Sequence, residues 1–362
     1  MTPTAANRLG LDYTAEAARM GPPAVPIIDS HTHINGERAA RVYLRVCDLY
    51  GIEKTVSQTQ LVEAARVRAI MGDGIEFIAI PEYMAKDRRH AFTDGFLENL
   101  DRWHGDFGAR CVKLWNAPRF IDFAQEAGLE VSWSLHSESR IRVADRAAEL
   151  GMMFMTHIAD PDTWFQTKYK DSDRYGRKEQ HYEGLERMLE RYPVPWIGAH
   201  MCGSPEDLAF LSGVLDRHDN LIIDTSATKW MIREVSKHGR EELVAFLNKY
   251  KGRVLFGSDI VTTDEHMKST DGSQRFAADL AGSEDQAFEL YASRYWALRT
   301  MWESAYDGES NIADPDLHLV EPDRYSEMDA PRLVGRSLDA EYLRTFYRGA
   351  AEATVLRWYS EH

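Results

Sequence analysis

Val25-Pro-Ile-Ile-Asp-Ser-His-Thr-His33 is a short apolar run that ends in two histidines one residue apart. Side chains of a strand alternate between its faces, so His31 and His33 at i and i+2 leave the strand on the same side. Two imidazoles placed this way can share one metal ion, and imidazole nitrogen suits zinc and its first-row neighbours. Alone, the pair reads more simply as a polar strand end. Its weight depends on whether other ligands converge on it.

Three later stretches finish the same way. Gly151-Met-Met-Phe-Met-Thr-His157 and Val194-Pro-Trp-Ile-Gly-Ala-His200 are apolar runs closing on a histidine, and Arg253-Val-Leu-Phe-Gly-Ser-Asp259 closes on an aspartate. His31, His33, His157 and Asp259 form a ligand set that can hold one ion and leave a position for water, which is a catalytic rather than a structural arrangement. His200 is then left to act as acid or base beside that water, and Asp259 can accept a proton while it touches the metal.

Composition bounds the remaining choices. The chain has 362 residues, 44% of them hydrophobic, enough for one large α/β domain with insertions. A formal net charge of -15 argues against a phosphate-binding surface and hence against nucleic acid as partner. Residues 1–24 lack the basic segment and apolar core of a secretory signal, and no apolar run nears the ~20 residues of a membrane helix. Cys47, Cys111 and Cys202 are odd in number and lack CxxC spacing, so buried free thiols are expected rather than disulfides. These features predict a cytoplasmic protein that meets a small-molecule substrate, not a membrane; homo-oligomerisation stays open.

Read in order, the chain alternates strand and helix. Strands are expected to end near His33, and over 54–60, 74–81, 110–115, 151–157, 194–200, 220–225 and 253–259. Helices are expected over 38–50 with Gly51 as stop, 61–71, 91–103, 120–128, 139–150, 182–191, 208–218 capped from Ser204, and 234–250. Residues 129–135 read as an extra strand or a loop, and 167–180 as a charged loop. Eight apolar strands alternating with helices describe an α/β fold, a (β/α)8 TIM barrel, because parallel strands covered on both faces lose the polar alternation of an exposed sheet. A doubly wound sheet explains the spread of candidate ligands less well. The expected organisation is an N-terminal arm over 1–24, the barrel over 25–260, and a long C-terminal extension over 261–362. In that extension Tyr291, Tyr295, Leu298 and Trp302 share a packing face, 311–336 forms a lid-like loop, and 340–359 is a final helix.

The motifs Ile28-Asp29-Ser-His31-Thr-His33, Thr156-His157, Gly198-Ala-His200-Met-Cys-Gly203, Asp224-Thr-Ser226 and Phe256-Gly-Ser-Asp259 resemble those of the amidohydrolase superfamily. They are most similar to the amidohydrolase-related branch that includes aminocarboxymuconate-semialdehyde decarboxylase and its hydrolase relatives. The resemblance implies His31, His33, His157 and Asp259 as metal ligands and His200 as the catalytic histidine, with one divalent transition metal, zinc first and manganese, iron or cobalt as alternatives. Lys113 resembles in position the lysine that binuclear members carboxylate; a partner for a substrate carboxylate, or a salt bridge to Asp259 or Glu82, is the better reading. Trp115, Arg119, Trp164 and Arg174 follow strand ends and are candidates for substrate recognition, as are Asn116, Lys229 and Trp230. The first expectation is a metal-dependent hydrolase cleaving a C–N or C–O bond of a small polar or carboxylated substrate. The second is a non-oxidative decarboxylase on the same metal, and the third a barrel that only binds a ligand.

Overall fold

The computed structural model describes residues 3–268 and 280–362; residues 1–2 of the expected arm and 269–279 of the expected extension lie outside the described residues. The fold class is the (β/α)8 barrel with a helical C-terminal extension. Its parallel strands are β1 (Ile27–His33), β2 (Ile52–Ser57), β3 (Ile75–Ala79), β4 (Cys111–Trp115), β5 (Met153–His157), β6 (Trp196–Gly198), β7 (Leu221–Asp224), β8 (Val254–Leu255) and β9 (Ile260–Val261). The antiparallel pair β10 (Asp307–Glu309) and β11 (Arg332–Val334) belongs to the extension. Chain contacts divide into two compact units, one of Met1–Ser57, Ala65–Ile75 and Thr225–Ala351, the other of Gln58–Ala64, Glu76–Asp224 and Glu352–His362.

In the first unit β1 lies between β2 and β9, with Asp29 opposite Thr55 and His33 opposite Val261. The expected strand over 253–259 is regular only over Val254–Leu255, yet the segment that follows stays alongside β1. The Ser30 amide donates to the Phe256 carbonyl at 2.9 Å, and the Asp259 amide to the His31 carbonyl at 2.8 Å. Helix Glu37–Tyr50 buries Ala39, Val42, Tyr43, Val46 and Tyr50 on one face and stops at Gly51, whose φ of 73° is the left-handed cap a glycine accepts cheaply. Helix Glu284–Glu303 buries Tyr291, Tyr295, Leu298 and Trp302, the packing face read from their spacing.

The second unit carries β3 to β7 in chain order, with Lys113 opposite Met155 and Trp115 opposite His157. Phe154 stacks on Trp196 at 4.3 Å in its core. The chain's last turn is fixed here: Trp358 Nε1 donates to the Gly151 carbonyl at 2.9 Å, and the Tyr359 hydroxyl to that of Phe77 at 2.6 Å.

Several expected boundaries are corrected. Residues 129–135 form no strand; Asn116 Nδ2 donates to the Trp133 carbonyl at 2.7 Å and holds that stretch as a loop. Helix Leu208–Arg217 is capped by Asp207, whose carboxylate accepts from the Phe210 amide at 2.9 Å, so the Ser204-Pro-Glu sequence is a turn before the helix rather than its start. The helix expected over 234–250 is broken, because Gly239 is the N-cap residue of a separate helix, Arg240–Lys249. The strand expected to end on His200 stops at Gly198.

Candidate metal centre

Three of the expected ligands meet in the first unit. His31 is fully buried near the end of β1, with Nε2 3.3 Å from Asp259 Oδ1, and His33 Nε2 lies 3.1 Å from the same oxygen. One ligand atom from each of the three residues lies within 4.8 Å of the others. Two imidazole nitrogens and a carboxylate oxygen at that spacing fit a borderline cation such as zinc or its neighbours. The two histidines share a face for the period-two reason read from the sequence; Asp259 arrives differently. Its φ of 59° places it in the left-handed region, which aspartate tolerates better than most residues, and this turn swings the carboxylate toward both rings.

The surroundings fix these groups. Ser226 Oγ lies 3.0 Å from His31 Nδ1. A Cβ at Gly257 would come within 3.1 Å of both His31 Cβ and Ser226 Cβ, so glycine permits this close approach. Asp29 is fully buried and accepts from the His31 amide at 3.1 Å, the Ser258 amide at 3.1 Å and the Tyr295 hydroxyl at 2.7 Å. Burial pushes its carboxyl up to about 7, and those hydrogen bonds oppose the rise. Asp29 thereby ties β1 both to the turn before Asp259 and to helix Glu284–Glu303.

His157 and His200 meet in the second unit, with ring centroids 4.4 Å apart. His157 Nε2 lies 2.7 Å from Asp160 Oδ1, and Asp160 Oδ2 accepts from the Tyr169 hydroxyl at 2.7 Å. A carboxylate on one ring nitrogen favours its N–H form and puts the lone pair on the other, Nδ1, which is how metal-ligating histidines are oriented. His200, Met201, Cys202 and Gly203 have φ of 59°, 50°, 55° and 73°. Such a run of left-handed residues is strained and persists only when its surroundings over-determine it. Here the His200 amide donates to Asp224 Oδ1 at 2.9 Å and the Tyr182 hydroxyl to the Cys202 carbonyl at 2.7 Å.

Of the expected substrate-recognition residues, Lys113, Trp115, Asn116, Arg119, Trp164 and Arg174 are dispersed within the second unit, whereas Lys229 and Trp230 belong to the first. Lys113 is 4% exposed inside β4. Trp115 sits edge-on to Tyr83 and Phe123, at 5.4 and 5.1 Å. Arg119 and Arg174 line one surface groove of about 400 Å³ with Asp122 and Gln125, and Arg174 already donates to Gln125 at 2.7 Å and pairs with Asp122. Trp164 carries the Lys168 amine 3.5 Å over its ring. His266 and His181 are buried structural groups, bonded to the Tyr291 hydroxyl and the Tyr175 carbonyl at 2.8 Å each. Sequence reasoning missed Asp160, although His-x-x-Asp after a strand was a readable signal. It also missed Arg140, which stacks on Phe120 at 4.1 Å and is pushed down to about 10 by burial, and Arg294, hidden within the periodic pattern of a packing helix.

A family model described as amidohydrolase matches residues 28–293. Comparison with curated proteins gives no match. Among solved structures, an amidohydrolase from Burkholderia multivorans with bound zinc is 13% identical, with 92% of this chain and 99% of that one covered and a TM-score of 0.45. A 2,6-dihydroxybenzoate decarboxylase from Rhizobium is 14% identical over 74% of this chain and 98% of its own, with a TM-score of 0.41. A 5-carboxyvanillate decarboxylase from Novosphingobium aromaticivorans, complexed with manganese and 4-hydroxy-3-methoxy-5-nitrobenzoic acid, is 10% identical over 93% and 96%, at 0.43.

Proposed function

The chain belongs to the amidohydrolase family, and from that premise we propose that it is a metal-dependent hydrolase cleaving a C–N or C–O bond of a small polar or carboxylated substrate. The observation that carries this reading is the convergence of His31 Nε2 and His33 Nε2 on Asp259 Oδ1, at 3.3 and 3.1 Å. These three residues would hold one divalent ion, zinc first, with manganese, iron or cobalt as alternatives, and His157 is the proposed fourth ligand. When bound, the ion supplies Lewis acidity that polarises a substrate oxygen and makes water a nucleophile near neutral pH.

The chain's own groups do the rest. Asp259 offers a second carboxylate oxygen that can take the proton from the attacking water. His200, held by the Asp224 carboxylate through its backbone amide, is the proposed acid that returns a proton to the leaving nitrogen or oxygen. Asp160 keeps His157 in a single tautomer. Asp259 and His33 are 29% and 25% exposed at their side chains, so substrate and water can reach them.

A second reading, decarboxylation, uses the same ion to anchor and polarise a carboxylic acid while a proton replaces the departing CO2. It is supported by Arg294, whose charge feels that of Asp259, since a carboxylate-binding cation near the metal suits a lyase. A cytoplasmic setting accords with three buried free thiols, Cys47, Cys111 and Cys202, and no helix among the described residues is long and apolar enough to cross a membrane.

The test is a screen of metal-loaded protein against lactones, amides and aromatic carboxylates in ¹⁸O-labelled water. Hydrolysis puts ¹⁸O into the product acid, whereas decarboxylation releases CO2 and leaves the product unlabelled. A protein that takes up no zinc, manganese, iron or cobalt would sink both readings.

A further inference from the structure

Within the first unit, the segment after helix Glu284–Glu303 reaches back to the loop that serves the candidate centre. Asn311 Nδ2 donates to the Ser293 carbonyl at 3.0 Å and to the Tyr13 hydroxyl at 2.9 Å, and the Ala313 amide donates to the Ala5 carbonyl at 2.8 Å. Two buried carboxylates follow, Asp314 and Asp316. Arg233 pairs through Nη1 with Asp314 and lies 3.3 Å from Asp316, and Trp230 Nε1 donates to Asp316 at 3.2 Å. Glu234, 2.6 Å from Arg233 Nε and 2.6 Å from the Lys237 amine, completes the cluster.

Residues 226–228 connect this cluster to the expected metal ligands. Ser226 Oγ lies 3.0 Å from His31 Nδ1, and the Thr228 hydroxyl donates at 2.9 Å to the carbonyl of Ser258, the residue before Asp259. Between them Ala227 has φ 64° and ψ 66°. Left-handed backbone is unfavourable for alanine, which has no polar side chain to compensate, and it persists only where its neighbours over-determine it. The helical turn Thr228–Trp230 runs directly into the π-helical turn Met231–Val235, so a restraint on Trp230 and Arg233 is passed along continuous helix to Ala227. Stability alone is a poor reason for such a cluster. Desolvation of buried ion pairs often exceeds their attraction, and Arg233 Nη2 is left buried without a partner among the described residues. Buried polar networks do fix geometry, because the groups are satisfied in few arrangements.

We propose that Asp314 and Asp316 are positioning residues for the metal centre: through Arg233 and Trp230 they hold Ala227 in its left-handed turn and so keep the Ser226 hydroxyl on His31 Nδ1. The inference deepens the proposed function and rests on its placement of the metal at His31, His33 and Asp259. It gives the C-terminal extension a part in the site. Because the lever is a strained backbone turn, its signature is a loss of metal affinity that Ala227→Gly repairs.

The test uses Asp314→Asn and Asp316→Ala, read by zinc affinity in competition with a metal-binding dye and by the ¹⁵N NMR signal of His31 Nδ1 in metal-free protein, assigned by its loss in His31→Gln. Each variant should shift that signal and weaken zinc about tenfold, the low end for loss of a histidine's outer hydrogen bond. Adding Ala227→Gly, which accepts a left-handed turn without strain, should restore most of the affinity. In a Ser226→Ala background the same variants should cost nothing further, since they act through Ser226. Melting curves check folding; should both variants unfold, Trp230→Phe, which takes away the hydrogen bond to Asp316, carries the comparison. A lowered melting temperature with zinc affinity and the Nδ1 signal unchanged marks a purely structural cluster and overturns the proposal. So does an equal further loss in the Ser226→Ala background, or no rescue by Ala227→Gly. Wild-type protein that takes up no zinc counts against the proposed function, and the Nδ1 signal of the metal-free variants still decides the positioning role.

Discussion

The hydroxyl of Ser226 lies 3.0 Å from Nδ1 of His31 and so determines which ring nitrogen turns toward Asp259. When the Nε2 lone pair holds a metal ion, Nδ1 carries the hydrogen and donates it to Ser226 Oγ, the outer hydrogen bond that fixes tautomer and ring orientation in metal-ligating histidines. Ser226→Ala should therefore weaken zinc affinity about 10- to 100-fold while the protein stays folded. Competition with a metal-binding dye measures it, and an unchanged affinity would take Ser226 out of the site.

Metal content follows the ligand set. Wild-type protein should carry about one divalent ion per chain, and His31→Ala, His33→Ala and Asp259→Asn should each lose most of it. Elemental analysis after gel filtration gives the count. His157→Ala tests the proposed fourth ligand, and retention of wild-type metal by that variant would exclude His157 from the set. Lys113→Gln should keep the single ion, since one ion needs no bridging carbamate; two ions per chain would reverse this reading of Lys113.

His200 sits in a left-handed turn, which makes the choice of substitution matter. Asparagine tolerates that backbone better than alanine does, so His200→Asn should preserve fold and metal while kcat falls on the order of 10²- to 10⁴-fold, the usual contribution of a general acid or base. A variant with full kcat on a true substrate would remove His200 from the chemistry, and one that loses the ion would place it among the ligands.

The same turn depends on Gly203. At φ 73° it already disfavours a side chain, and a Cβ there would collide with the carbonyl of Ala159. Gly203→Ala should destabilise the protein by about 3 kcal/mol, seen as a lowered melting temperature, with turnover falling as His200 shifts. A melting temperature equal to wild type would show that the turn relaxes without strain.

Tyr295→Phe removes one donor to the buried Asp29 carboxylate and also the 2.7 Å contact with the Tyr43 hydroxyl. A lost hydrogen bond to a buried charged or partly charged group costs about 1–3 kcal/mol, so thermal unfolding should begin a few degrees lower. No change in the unfolding curve would mean that His31 and Ser258 satisfy Asp29 without Tyr295.

The sequence alone determined the frame on which the site is built. Strand alternation puts His31 and His33 on one face whatever surrounds them, and apolar runs punctuated by helices specify parallel strands because only such strands are covered on both sides. Helix 61–71 and the stop at Gly51 were legible for the same reason: propensity, periodicity and a left-handed cap are local properties. What only the tertiary structure decided are features that depend on residues far apart in the chain. The left-handed backbone at Asp259 and His200 and the service of Asp29 as a shared acceptor for His31, Ser258 and Tyr295 have no local signature. Each is set by what a distant segment places opposite it, and the energy of a strained turn or a buried charge is defined only by those neighbours.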